Sequence, residues 1–121
     1  MTMYSAALLK TIEEAGVAVL TLTEGLLDTE LLASRLTRHE VTRQLRLLTE
    51  AAAALPSDVH QGMPEIDWAG LASTGLALAG APGSELDNAM LLGSRAQTPA
   101  AMMWLRVYKN QHPQWFAMSS A

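Results

Sequence analysis

The side chains of this chain that could bind an anion or move a proton are concentrated in one place. Arg35, Arg38, His39, Arg43 and Arg46 fall within twelve residues, with Glu40 among them and Glu50 one turn beyond. Guanidinium groups grip phosphate oxygens in fixed geometry and an imidazole transfers protons near neutral pH, so the cluster has the ingredients of an anion or RNA patch, or of phosphoryl chemistry. On a helix Arg35, Arg38/His39 and Arg46 lie roughly on one side and Arg43 lies apart. The plainer reading is a solvated face in which the cations pair with Glu40 and Glu50. His39 stands one step from a capping motif and is expected to be exposed. Metal chemistry has no such foothold: His39, His60 and His112 stand in separate segments without a helical His-Glu-x-x-His, and cysteine is absent. Gly75, Gly80 and Gly83 lack the strand, the turn and the Lys of a phosphate-binding loop, so no nucleotide cofactor is implied. A serine nucleophile would need an orienting His that the sequence does not place beside one.

The scaffold beneath these residues is helical by composition. Half of the 121 residues are hydrophobic, 17% are charged and 5% aromatic; that balance argues against disorder, and the Leu and Ala excess favours helices over strands. One domain, 1–121, is expected. The net charge of −4 offers no global attraction to a polyanion, so any RNA contact must be local. With one lysine near the N-terminus and no long apolar run, neither a signal peptide nor a membrane span is indicated, and the lack of cysteine fits a reducing compartment; the cytoplasm is the expected location.

Periodicity then sets the elements. Leu8, Ile12, Ala15, Val19, Leu22 and Leu26 keep one stripe along a helix from Tyr4 to Leu27, widened by Leu9, Gly16, Leu20 and Leu27. Asp28 caps a short helix through Arg35, and Thr37-x-x-Glu40 has the form of a capping box for a second long helix from about Arg38 to Leu55, stopped by Pro56. Its stripe is Val41, Leu45, Leu48, Ala52 and Leu55. Two such helices with a short connection should pack antiparallel. Ser57 to Met63 reads as a turn. Asp67 is placed to cap a third helix that Trp68 anchors and that Gly80, Pro82 and Gly83 end. Ser84 to Asp87 begins a fourth, Gly93 to Pro99 interrupts it, and Ala100 to His112 resumes as a fifth piece with Met102, Leu105, Val107 and Tyr108 inward and Arg106 and Lys109 wet. The apolar tail, about 112–121, either docks or frays; Trp104, Tyr108, Trp115 and Phe116 hold most of the aromatics and are read as packing residues before a docking surface.

One stretch stands out for what it lacks. After Asp67, "WAGLASTGLALAGAPG" carries no charge and nothing more polar than the hydroxyls of Ser73 and Thr74. Upstream of it, "SRLTRHEVTRQLRLLTEAAAALPSDVHQGMPEIDWAGLA", Ser34 to Ala72, resembles the HepT-like branch of the HEPN superfamily at Arg35, Thr37, Val41, Arg43-Gln44-Leu45, Glu50-Ala51-Ala52, Leu55-Pro56, and Pro64-Glu65-Ile66 followed by Trp68. Tyr4 to Leu26 is similar to the family's first helix, with its "TEGL" ending, and Gly83 to Leu86 to the start of its fourth. The resemblance covers most of the first ninety residues and fades beyond Leu91.

The resemblance implies an all-α, four- to five-helix up-and-down bundle that dimerises. It further implies a toxin of a toxin–antitoxin pair, a metal-independent ribonuclease partnered by an MNT-type nucleotidyltransferase. In that family an Arg-Asn…His motif and a nearby Tyr, at the end of the third helix and across the dimer interface, form the active site, and the partner adenylylates the Tyr. In this register the Arg falls at Gly75, the Asn at Leu76, the His at Gly80 and the Tyr at Pro82, so the motif is gone and with it the modifiable tyrosine. The expectation is therefore a non-catalytic HepT-like protein that pairs with itself and with a nucleotidyltransferase-like partner, using Trp68, Ala72, Gly75 and Ala79 as close-contact residues. The runner-up is a ribonuclease rebuilt from Arg43, His39 and Glu50, and a third reading is a helical scaffold subunit docking through its tail. Glu50, also Glu in the family, is either a residual pocket group or a structural carboxylate held by Arg43 or a helix end.

Overall fold

The computed structural model describes residues 1–118, and the last residues of the apolar tail, 119–121, lie outside it. Among the described residues there are helices and no strand: α1 (Met3–Thr23), α2 (Asp28–Ala33), α3 (Arg35–Ala54), α4 (Ser57–Gly62), α5 (Trp68–Leu78), α6 (Ser84–Leu92), a π-helical turn (Gly93–Gln97), α7 (Thr98–Gln111) and a 3-10 turn (Pro113–Trp115). None of these helices is long and apolar enough to cross a membrane.

Four rods build the bundle. One layer of core joins Leu9 and Ile12 of α1 to Leu48 of α3 and Leu55 just past its end, Leu71 of α5 and Leu105 of α7. The other joins Val19 of α1 to Val41 and Leu45 of α3, Leu78 of α5 and Met90 of α6. Since α1 and α5 run from the first layer to the second, and α3 and α6–α7 run back, the topology is up-down-up-down. Full burial of each Leu or Ile contributes about 1.5–3 kcal/mol, enough for the two layers to hold helices whose own propensity is ordinary.

Several boundaries fall elsewhere than the periodicity places them. α1 stops at Thr23, because Gly25 takes φ 75° in a tight turn closed by Leu26 N–H on the Thr23 carbonyl at 3.1 Å, the type II geometry that favours glycine. Leu27, expected in the stripe, is exposed. The α3 cap is Ser34, whose hydroxyl accepts from Thr37 N–H at 3.4 Å; the Thr37-x-x-Glu40 box does not form, since Glu40 turns to Arg43 and Gln44. At α2 the helix end is held by Glu30, accepting from Leu27 N–H at 2.8 Å, and not by an Asp28 cap. Ser57–Gly62 is a helical turn rather than a loop.

The largest difference is between Gly93 and Pro99, where an interruption was expected. The backbone stays helical from α6 into α7, and the π-turn absorbs the proline: Thr98 N–H reaches back five residues to the Gly93 carbonyl. Pro99 has no N–H to give and its ring crowds the preceding turn, and a wider turn accommodates both within one helix. Gly93 is buried against α3, where a Cβ would stand 3.2 Å from both Leu45 methyls. Its role is close approach. The described part of the tail docks: Trp115 and Phe116 pack on the first core layer, and the Trp115 ring stacks on His112 at 3.8 Å.

Candidate functional site

α5 begins as expected, with the Asp67 carboxylate accepting from Gly70 N–H at 2.9 Å. Trp68, expected as a dimer or partner contact, is partly buried and packs against the first core layer. Its indole N–H donates to the Met63 carbonyl at 3.0 Å, and its ring stacks at 4.6 Å on His60, whose Nε2 lies 2.8 Å from the Ala52 carbonyl. These bonds tie α5 to α4 and to the end of α3, a role that an aromatic with one polar group fills well.

Beyond Trp68, the positions Leu71, Thr74 and Leu78 are buried, spaced to form one face of the helix. The opposite crest, Ala69, Ala72, Ser73, Leu76 and Ala79, is exposed, and Leu76 is 80% exposed. Gly75 lies between the two faces, where a Cβ would stand 3.0 Å from both Cβ and Oγ1 of Thr49. A side chain at this position requires Thr49 to move, so the glycine lets α5 and α3 approach. Beside Leu76 opens a cleft of about 390 Å³ between α3 and α5, bordered by Arg46, Glu50, Ala53, Ala72, Gly75 and Ala79. Gly80 and Pro82 follow the helix end on the surface. The four positions where the resembled motif would lie thus carry one packing glycine, one protruding leucine and two exposed turn residues.

The cationic cluster divides. Arg46 donates from Nε and Nη2 to the Leu78 carbonyl at 2.9 and 2.5 Å, closing the C-terminus of α5, and Arg38 donates to the Leu32 carbonyl at 3.1 Å, closing α2. Both satisfy carbonyls left open at a helix end and meet the negative pole of the dipole. Arg35, Arg38, His39 and Arg46 do border one cleft of about 370 Å³, with Pro82 and the Asp87 carboxylate in its wall. Arg43 faces a different groove, toward Glu14 and Ala18 of α1. It forms a two-pronged ion pair with Glu40, Nη2 to Oε1 at 2.6 Å and Nε to Oε2 at 3.0 Å. The bond from Arg43, with one from Gln44, holds the Glu40 carboxyl down at about 2.

His39, Arg43 and Glu50 therefore border three separate clefts, and the set proposed for a rebuilt ribonuclease is not brought together. Nor does Arg43 hold Glu50, because Glu40, one turn back on the same helix, is the nearer carboxylate. Among the described residues no group of three or more His, Asp or Glu is placed to hold a metal ion.

Two residues do more than their sequence context signals. Arg95, in the π-turn, donates to the Thr23 carbonyl at 3.0 Å, to the Leu26 carbonyl, and to Asp28 at 2.9 Å, binding the α1–α2 turn to the far side of the bundle. Its one signal is isolation, since no Lys or Arg precedes it back to Ala51. Tyr108 donates its hydroxyl to Glu65, and that bond, helped by burial, raises the phenol to about 12.

The fold and surface define an all-α four-helix up-and-down domain in which one helix, α5, carries no charge and has one exposed face. No protein-family model, curated protein or solved structure matches the chain.

Proposed function

We propose that this is a non-catalytic, HepT-like binding protein that pairs with a second copy of itself through the crest of α5, and that its further partner is an MNT-type nucleotidyltransferase in a toxin–antitoxin-like pair. The observation that carries the non-catalytic reading is Gly75. At the position where the resemblance puts the catalytic Arg, α5 is packed on Thr49, so the catalytic side chains are absent and the first of them could be accommodated only if Thr49 moved. Pairing is supported by the neighbouring geometry. An 80% exposed leucine stands beside a cleft lined by Ala53, Ala72 and Ala79, and a knob next to a hole on one surface is self-complementary about a two-fold axis. The nucleotidyltransferase partner is supported by the sequence resemblance.

Three measurements decide this. Purified protein incubated with RNA should leave it intact, and cleavage that vanishes in Arg43→Ala would sink the non-catalytic reading. Light scattering should give the mass of a dimer for the parent chain and of a monomer for Leu76→Arg; a parent that is monomeric at micromolar concentration removes the pairing. Co-expression with a minimal nucleotidyltransferase should yield a complex that survives gel filtration, and separate elution would refute that partner.

A further inference from the structure

The other flank of α5 forms the wall of a larger groove, about 820 Å³, whose opposite wall is α6, the π-turn and the start of α7. Its floor is low and apolar: Gly70 and Ala77 on one side, Ala89, Leu92 and Ala96 on the other, with Leu92 half exposed. A hydrogen bond from Thr74 to Gln97 at 2.7 Å fastens the two walls together, so the groove is preformed. From Asp67 to Ala77 the α5 wall runs about 15 Å, at 1.5 Å per residue, or roughly three helical turns.

The ends of the groove are charged, and with one sign. Asp67 borders it at the start of α5 and Glu85 at the start of α6, and since the two helices are antiparallel, these carboxylates stand at opposite ends. Neither forms an ion pair with any described residue. No Lys or Arg occurs from Ala51 to Ser94, and Arg95 is turned to the far side of the bundle.

We infer that this groove docks an amphipathic helix of a partner protein, one with a small apolar face and a Lys or Arg at each end of the docked stretch, about ten or eleven residues apart. Small residues on both walls let a helix backbone come close, Leu92 supplies the apolar contact, and the two carboxylates fix the position of a basic helix while rejecting an acidic one. A second copy of this chain is a poor occupant, because in its two Arg pairs at that spacing, Arg35 with Arg46 and Arg95 with Arg106, Arg46 is held on the Leu78 carbonyl and Arg95 on the α1–α2 turn. The inference rests on α5 being an interaction helix, but it uses the flank opposite Leu76.

The test uses two stapled helical peptides of about 18 residues with the same Ala/Leu face, one carrying Arg and the other Glu at two positions about eleven residues apart. Fluorescence anisotropy at low salt should show the Arg peptide binding the full chain about tenfold tighter than the Glu peptide, the effect of two partly exposed ion pairs. Asp67→Asn with Glu85→Gln should remove that difference while circular dichroism stays unchanged, since Asn keeps the helix cap. Leu92→Ser should weaken both peptides. Equal binding of the two peptides, or Arg-peptide binding indifferent to the double substitution, would overturn the inference. A loss of self-association in the double variant would also overturn it by making a second copy the occupant. Leu76→Arg separates the two readings, because it should abolish pairing and leave peptide binding intact.

Discussion

Arg46 illustrates how completely a fold can consume a residue that reads as a binding group. Its guanidinium carries two hydrogen bonds to one carbonyl at the end of α5, so Arg46→Met should cost about 1–3 kcal/mol in chemical denaturation, the range for charged hydrogen bonds with part of the group buried. Arg35, exposed and without such a bond, should tolerate Ala within about 0.5 kcal/mol. Sequence spacing groups the two arginines, which border one cleft, but cannot separate them, because the distinction depends on a carbonyl 32 residues away. Tyr108 gives a pH signature. Its phenol, raised from the usual 10 to about 12 by its bond to Glu65 and by burial, stays protonated in the folded chain while the unfolded chain ionises. Stability contributed by this group is therefore full below pH 10 and is lost between about 10 and 12. A denaturation series across that range should show the fall in the parent and a shallower one in Tyr108→Phe. The Thr98 hydroxyl is fully buried with no hydrogen-bond partner among the described residues, so Thr98→Val should stabilise the chain by about 1 kcal/mol, read from the shift in denaturation midpoint.

The α6–α7 rod was the least legible element, because Gly93 and Pro99 are ordinary helix breakers and their solution is tertiary. A proline is accommodated by one widened turn, and the glycine is required where the rod meets α3, at Leu45. Gly93→Ala therefore sets two effects against each other. Helix propensity favours Ala by about 1 kcal/mol, while a methyl 3.2 Å from two Leu45 carbons in a packed core costs about 1–3 kcal/mol, so a net loss of up to about 2 is expected in the unfolding free energy. Gly16→Ala is the internal control: its methyl meets the thioether of Met102, a flexible side chain that can move aside, and stability should change little. The long helices, by contrast, were readable from their stripes. The 3.6-residue period of α3 put Val41, Leu45, Leu48, Ala52 and Leu55 in the core, where they are. For α1 the stripe predicts a helix four residues longer than the one formed, since it continues through Leu26 while the turn at Gly25 has already ended the helix. The emptiness of α5 is legible as well, but the contact of Gly75 with Thr49 joins residues 26 positions apart that no local pattern connects.

At the scale of the whole molecule the question is what an acidic, 13.0 kDa bundle does with an apolar helix on its outside. A domain of this size buries a smaller share of its surface than a large one, and leaving Leu76 80% exposed forgoes about 1.5–3 kcal/mol of transfer free energy per chain. Pairing through the α5 crest would recover it twice, once for each copy. If the folded chain is a dimer and the unfolded chain is not, stability is linked to concentration by mass action. The melting temperature of the parent should then rise with each tenfold increase in protein concentration. In Leu76→Arg a long, strongly hydrated side chain replaces the apolar knob at a cleft lined by Ala53, Ala72 and Ala79, and burying it costs more than the leucine contact returns; its melting temperature should be independent of concentration and match the parent's at high dilution. A concentration-independent parent, or a variant that keeps the parent's slope, would remove pairing through α5, while a variant that merely unfolds would reveal itself by losing its helical circular dichroism at low temperature.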